Sequence, residues 1–138
     1  MPNWNEATIK EFHAKAGKGV GSFGDQLILL TTLGARSGKE RITPVMYHRD
    51  GERYVVIASK GGAPDHPAWY RNLTANPLAR VEVGAETGTE TFEVRAREAE
   101  GEERERMFAD RVAIAPGFGE YQQKTSRQIP VVILERTG

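Results

Sequence analysis

The sequence predicts a mainly β, α+β fold: a six-stranded antiparallel barrel with helices packed outside it. Three observations carry this. The chain has 138 residues, the size of one domain spanning 1–138 with roughly 68% of its unfolded surface buried. Six short apolar or alternating segments are joined largely by hairpin-length links, which favour antiparallel pairing over a doubly wound sheet. A single sheet of that many strands tends to curl and close on itself.

The elements follow in order. Asn3 to Ala16 reads as an amphipathic helix, with Asn3 and Glu6 imitating a capping box, Ile9, Phe12 and Ala16 on one face, and Gly17 as the stop. A glycine-rich connector runs to Gly24. Gln26 to Leu33 and Ile42 to Arg49 are strands. Asp50-Gly51 is a hairpin turn, since glycine supplies the positive φ a tight turn requires, and Arg53 to Ser59 returns. Lys60 to Pro64 is a loop. Asp65 is placed to cap a helix that has Pro67 in its first turn and stops at Pro77. Arg80 to Val83 is a strand, and Gly84 to Gly88 a turn. Thr89 to Ala99 alternates, with Phe92, Val94 and Ala96 facing one way, as a half-buried strand does. Glu102 to Ala115 is a helix with Met107, Phe108 and Val112 on its apolar side. Pro116-Gly117 ends it, leaving Phe118 to Tyr121 on a loop. Ile129 to Arg136 closes the chain as a strand buried on both faces.

Composition narrows the function. There are no cysteines, so disulfides, thiolate metal sites and cysteine nucleophiles are excluded together. Lys+Arg and Asp+Glu both number 19, and a nucleic-acid binder normally carries a basic excess. The charges are unevenly spread. Arg36, Lys39, Arg41, Arg49, Arg53 and Lys60 make the first half basic, while glutamates crowd the stretch from Glu82 to Glu105. An anionic ligand belongs with the first half. The start, from Met1 to Glu6, has no apolar signal-peptide core, and the longest apolar runs are too short to span a bilayer, so a cytoplasmic location is expected.

Two glycine motifs are deceptive. Gly19 to Gly24 matches GxGxxG but follows a helix and opens a strand, the reverse of a dinucleotide fingerprint. Gly34 to Lys39 is one residue short of a P-loop, and Glu40 stands where Ser or Thr is required. His13, His48 and His66 are too scattered for a metal site.

Four segments carry chemistry. Gly34 to Arg41 sets three cations, two glycines and a hydroxyl between two strands, where glycine admits a ligand to the backbone and arginine grips phosphate or carboxylate in two-pronged fashion. Alone it reads as a solvated hairpin loop with ordinary surface charges. Ser59-Lys60-Gly61-Gly62-Ala63 precedes a helix N-terminus, where anions are favoured, although Asp65 opposes that on the helix axis. Trp69 and Leu73 share a helix face, as packing residues do, whereas Asn72 on the core side needs a hydrogen-bond partner. Phe118 and Tyr121 could cover a flat ring or simply anchor their loop.

Together and in this order, these segments resemble the deazaflavin (F420)-dependent nitroreductase family. The words that carry the resemblance are Leu30-Thr31-Thr32-x-Gly34, Ser37-Gly38-x-x-Arg41, Ser59-Lys60-Gly61-Gly62-Ala63, and Trp69-Tyr70-x-Asn72-Leu73-x-Ala75-Asn76-Pro77. The match is dense from Leu29 to Pro77 and looser from Tyr121 to Leu134. It implies a split β-barrel and coenzyme F420, a deazaflavin with a phosphate and an oligoglutamate tail. On that resemblance Arg36, Ser37, Gly38 and Arg41 would hold phosphate and tail, and Ser59, Lys60 and Gly61 would bind the same edge. Thr43, Pro44, Val45 and Met46 would line the ring with Ala58 beneath it, and Trp69, Tyr70 and Asn72 would bound the pocket. Tyr121 would be the catalytic proton donor and, with Phe118, the acceptor contact.

Phe118 lacks the hydroxyl of the family's tyrosine, Ala115 lacks the ring, and Met46 replaces a familiar aromatic. The expected reaction is therefore hydride transfer from reduced F420 to a small flat acceptor such as a quinone or nitroaromatic, with bicyclic nitroimidazoles disfavoured. Two alternatives stand beside it: an FMN-dependent oxidoreductase on the same barrel, and a coenzyme carrier or sensor without turnover. The resemblance leaves room for a homodimer, and Trp4 with the first helix for peripheral contact at the inner membrane face.

Overall fold

Alternating strands close into a cylinder. The computed structural model describes residues 4–19, 27–58, 66–85, 88–114, 116–125 and 128–137. The elements are α1 (Trp4–Ala14), β1 (Leu27–Leu33), β2 (Glu40–Asp50), β3 (Arg53–Ile57), α2 (Ala68–Ala75), β4 (Leu78–Gly84), β5 (Thr89–Glu98), α3 (Gly101–Ile114), α4 (Gly117–Gln123) and β6 (Val131–Arg136). The strands form one closed barrel in the order β1-β2-β3-β6-β5-β4, every pairing antiparallel. The β1–β4 seam is the shortest pairing. It runs only from Leu29↔Glu82 through Leu30↔Val81 to Thr31↔Arg80, whereas β1 and β2 pair all the way from Leu27↔Met46 to Leu33↔Glu40.

Strand parity decides what each side chain meets. Ile28, Leu30, Tyr54, Val56, Val81, Phe92, Val94, Val132 and Leu134 point inward and form the main core. The opposite parity of β3 and β6, at Val55, Ile57, Val131 and Ile133, is buried too, because Met107 and the partly buried Phe108, Phe118 and Tyr121 cover it from outside. Leu27 and Leu29 of β1 face outward beneath Phe12 of α1. The last strand is thus buried on both faces, as its unbroken apolar run requires.

Two helix boundaries depart from the sequence expectation. Helix α1 ends at Ala14, and the chain turns through Ala16 (φ 53°) and Gly17 (φ 75°), whose N–H bonds the Phe12 carbonyl at 2.8 Å. Ala16 therefore lies past the helix and not on its face. Pro67 is itself the N-cap of α2, with extended backbone and no side-chain cap, so the helix begins at Ala68. The expected cap, Asp65, lies outside the described residues. Helix α2 sets Trp69 and Leu73 into the main core, so it docks on the barrel beside the β1–β2 loop. Among the described residues no helix is long and apolar enough to cross a membrane.

Candidate functional site

A cleft of about 730 Å³ opens between the β1–β2 loop and α2. Gly34, Ala35, Arg36, Ser37, Arg41 and Thr43 form one wall, and Ala68, Trp69, Arg71 and Asn72 form the other. The loop wall is a tight structure. The Gly34 N–H bonds the Lys39 carbonyl at 2.8 Å, the Gly38 N–H bonds the Gly34 carbonyl at 2.9 Å, and the Lys39 N–H reaches Ser37 Oγ at 3.2 Å. Gly38 takes φ 69°, the left-handed region that favours glycine. A Cβ at Gly34 would stand 2.6 Å from Ser37 Oγ, so glycine there makes room for the serine.

Asn72 joins the two walls. Its Oδ1 accepts the Ala35 N–H at 3.0 Å, and its Nδ2 donates to Thr32 Oγ1 at 3.0 Å. Both Asn72 and Thr32 are buried. The core-side amide that sequence marked as needing a partner therefore has two, and both bind the loop or the strand leading into it.

The electrostatics of the cleft favour an anion. Arg36 and Arg41 are exposed on its wall, and among the described residues neither has an ion-pair partner. Glu40, the one acid on the lining among the described residues, is engaged by Arg80 at 3.3 Å. Arg71 adds a third guanidinium from α2. Sequence reading missed it; the signal was its place next to Asn72 in the helix word. Groups of ligating acids or histidines able to hold a metal are absent among the described residues.

The structure divides the other expected site residues. Four consecutive strand residues cannot present their side chains to one ligand face. Thr43 lines the cleft and Val45 turns into the barrel core, while Met46 lies outward against Phe12, Leu27 and Leu29. Pro44 shares the parity of Met46 and pairs with Leu29. A flat ring along β2 would thus meet the side chains of one parity and the backbone between them. Ala58 is wholly buried in the core, its N–H on the Pro130 carbonyl at 3.0 Å. Ser59, Lys60 and Gly61 lie outside the described residues, as does Ala115.

Trp69 borders the cleft, but Tyr70 turns away from it. The Tyr70 hydroxyl donates to Glu98, its ring sits 4.7 Å from that of His66, and burial followed by the Glu98 carboxylate pushes its pKa up to about 12. Tyr70 therefore braces α2 against β5 and is not a wall of the cleft. Phe118 and Tyr121 stand on α4, not on a loop, with their rings edge to face at 5.3 Å. They belong to the layer outside β3 and β6 and do not line the cleft.

Strand β2 connects the two places. Arg41 and Thr43 are at the cleft, and three residues on, ~10 Å along an extended strand, Met46 meets Arg111 of α3. The Arg111 Nη2 is 3.9 Å from Met46 Sδ, and its guanidinium lies 4.7 Å from the centre of the Phe118 ring. The cationic cleft and the aromatic pair thus both adjoin β2, at residues of opposite parity. Guanidiniums, a hydroxyl and backbone on the cleft wall suit an anionic group, and aromatic rings suit a flat one.

Comparison with known proteins identifies the family. A family model described as F420H(2)-dependent quinone reductase matches residues 4–136. The F420H(2)-dependent quinone reductase Rv1261c of Mycobacterium tuberculosis is 38% identical over 112 residues, 79% of this chain and 72% of its own. Among solved structures, an F420-H2 dependent reductase (FDR-A) superposes with a TM-score of 0.71 at 45% identity, covering 80% of this chain and 94% of that one. A second, described as a domain-swapped dimer, gives 0.74 at 41% identity, with 94% and 93% covered. Barrel, matched length and family model converge: this chain belongs to the F420H(2)-dependent quinone reductases, oxidoreductases whose cofactor is coenzyme F420.

Proposed function

We propose that the cleft holds the phosphate and carboxylate tail of F420, that the deazaflavin ring runs along β2 toward Met46, and that a quinone is reduced against the Phe118–Tyr121 wall. The single observation that carries this is the pair of exposed guanidiniums, Arg36 and Arg41, on one cleft wall without acid partners among the described residues.

The bound coenzyme supplies a hydride, and reduction of a quinone to a quinol requires one proton besides. The chain's own residues do the rest. Arg36, Arg41 and Ser37 bind the anionic handle, and Asn72 fixes the loop that carries them. Trp69 walls the cleft and keeps water from one side of it. Tyr121 is the hydroxyl on the aromatic wall and delivers the proton to a quinone oxygen. The reading extends to place and assembly: a cytoplasmic protein, able to pair as a homodimer, meeting quinones at the inner face of the membrane.

Fluorescence titration of the coenzyme should show tight, salt-sensitive binding, and adding menadione to the reduced complex should regenerate oxidised coenzyme. The double variant Arg36→Ala/Arg41→Ala should bind at least ~10-fold more weakly and lose most of the salt dependence, as expected when charge-assisted contacts are removed. Wild-type protein that does not bind F420 would end the proposal.

A further inference from the structure

Arg111 is a charged residue in an apolar place. It is 1% exposed on the inner side of α3, packed toward the outer face of β2. Its Nη1 donates to the Tyr47 carbonyl at 3.1 Å, its Nη2 approaches Met46 Sδ at 3.9 Å, and its guanidinium lies 4.7 Å from the Phe118 ring centre. One side chain therefore touches two consecutive residues of β2 and the first turn of α4. Helix α4 needs such support. It has seven residues, no side-chain N-cap and no buried residue of its own, and a helix that short does not stand alone in water.

Stability alone does not explain an arginine here. A methionine or leucine would fill the same space without the desolvation that a buried cation costs. What arginine provides that an apolar chain does not is a rigid, planar link of fixed reach. It hydrogen-bonds the strand and faces an aromatic ring at once.

We propose that Arg111 is a positioning residue for the acceptor site, setting the gap between β2 and the Phe118–Tyr121 wall in which a flat acceptor is held. This rests on the reading of β2 and α4 as the two sides of the redox site. Arg111 itself touches neither coenzyme nor acceptor in this assignment.

The test uses Arg111→Met, which keeps the volume and removes the link, and Arg111→Lys, which keeps a cation able to reach the Tyr47 carbonyl. Arg111→Met should fold, bind F420 within about 2-fold of wild type, and show a menadione KM raised about 10-fold with a smaller fall in kcat. Arg111→Lys should recover part of the KM. Hydrogen exchange, which needs no coenzyme, should speed up about 10-fold in α4 of Arg111→Met while β3 and β6 keep their protection. Should Arg111→Met fail to fold, Phe118→Leu, which removes the ring the guanidinium faces, should reproduce both the KM rise and the faster exchange. Unchanged α4 exchange with unchanged KM overturns the proposal, as does a loss of coenzyme affinity equal to the rise in KM. Wild type that binds no F420 while Arg111→Met still frees α4 would refute the coenzyme reading and leave the clamp standing.

Discussion

Asn72 offers the sharpest test, because its two bonds separate stability from binding. Asn72→Ala removes the acceptor for the Ala35 N–H and the donor to Thr32 Oγ1, each at 3.0 Å. The two losses are unequal. Ala35 is exposed, so water can take its N–H; Thr32 is 1% exposed, so its hydroxyl is left unsatisfied. An orphaned buried hydroxyl and one lost bond cost about 2 kcal/mol. For 138 residues that lowers Tm by roughly 7 °C. Coenzyme affinity should fall as well, since the loop bearing Arg36 and Arg41 is no longer tied to α2. Asn72→Asp provides the contrast. Its carboxylate can accept from both the Ala35 N–H and the Thr32 hydroxyl, so the loop stays tied to α2, at the desolvation cost of a buried charge. The new negative charge beside two arginines should nevertheless weaken F420 binding, most of all at low salt. Calorimetry and fluorescence titration on both variants read the two effects apart. A normal Tm for Asn72→Ala would show that the walls are not joined through this amide, and tight coenzyme binding by Asn72→Asp would show that the cleft does not hold an anion.

Other expectations follow from single contacts. Gly34→Ala brings a Cβ to 2.6 Å from Ser37 Oγ; rotation of the serine relieves the clash at the loss of its bond to Lys39, about 1 kcal/mol, so urea midpoints should move little while F420 affinity drops. Leu30→Ala empties a fully buried core position and should cost about 2–5 kcal/mol, seen as a lower urea midpoint with unchanged m-value. His48 has its pKa lowered by burial, then by Arg111, so the unfolded chain takes up a proton at higher pH than the native one. Stability should therefore fall as pH drops below about 6.5, and His48→Phe should flatten that part of a Tm-versus-pH curve. Tyr121→Phe should lower kcat with menadione by about 10², and an unchanged rate would reduce the tyrosine to a packing role.

Much of the fold was legible because strand parity writes itself into sequence. Phe92, Val94 and Ala96 were placed on one face and do share the core, and the apolar run from Val131 to Leu134 is covered on both sides. Reading failed where residue type hid residue position. Helix α3 looked apolar along Met107, Phe108 and Val112, yet its buried residues are Arg104, Met107 and Arg111, so two charged side chains disguised the phase of the helix. Arg104 Nη2 donates to the Ile129 carbonyl at 2.7 Å and to Gln122 at 3.1 Å, partners far away in sequence, while its Nε is buried without a hydrogen-bond partner among the described residues. Phe118 to Tyr121 looked like a loop because Gly117 and Gly119 have poor helix propensity. Packing against α3, β3 and β6 overrides that. The cationic loop and Asn72 were visible as a motif, but that one amide joins them depends on the docking of α2. No local pattern encodes that.

Closure of the sheet matters for more than the site. A chain with equal numbers of acids and bases has little mutual repulsion to keep its copies apart near neutral pH. A closed cylinder supplies the missing protection, since among the described residues each strand of the barrel is paired on both sides and offers no row of vacant amides to a neighbour. That protection is thinnest where β1 meets β4. Damage there, for example at Leu30 or Val81, would first show as clumping of the protein and not as slower turnover.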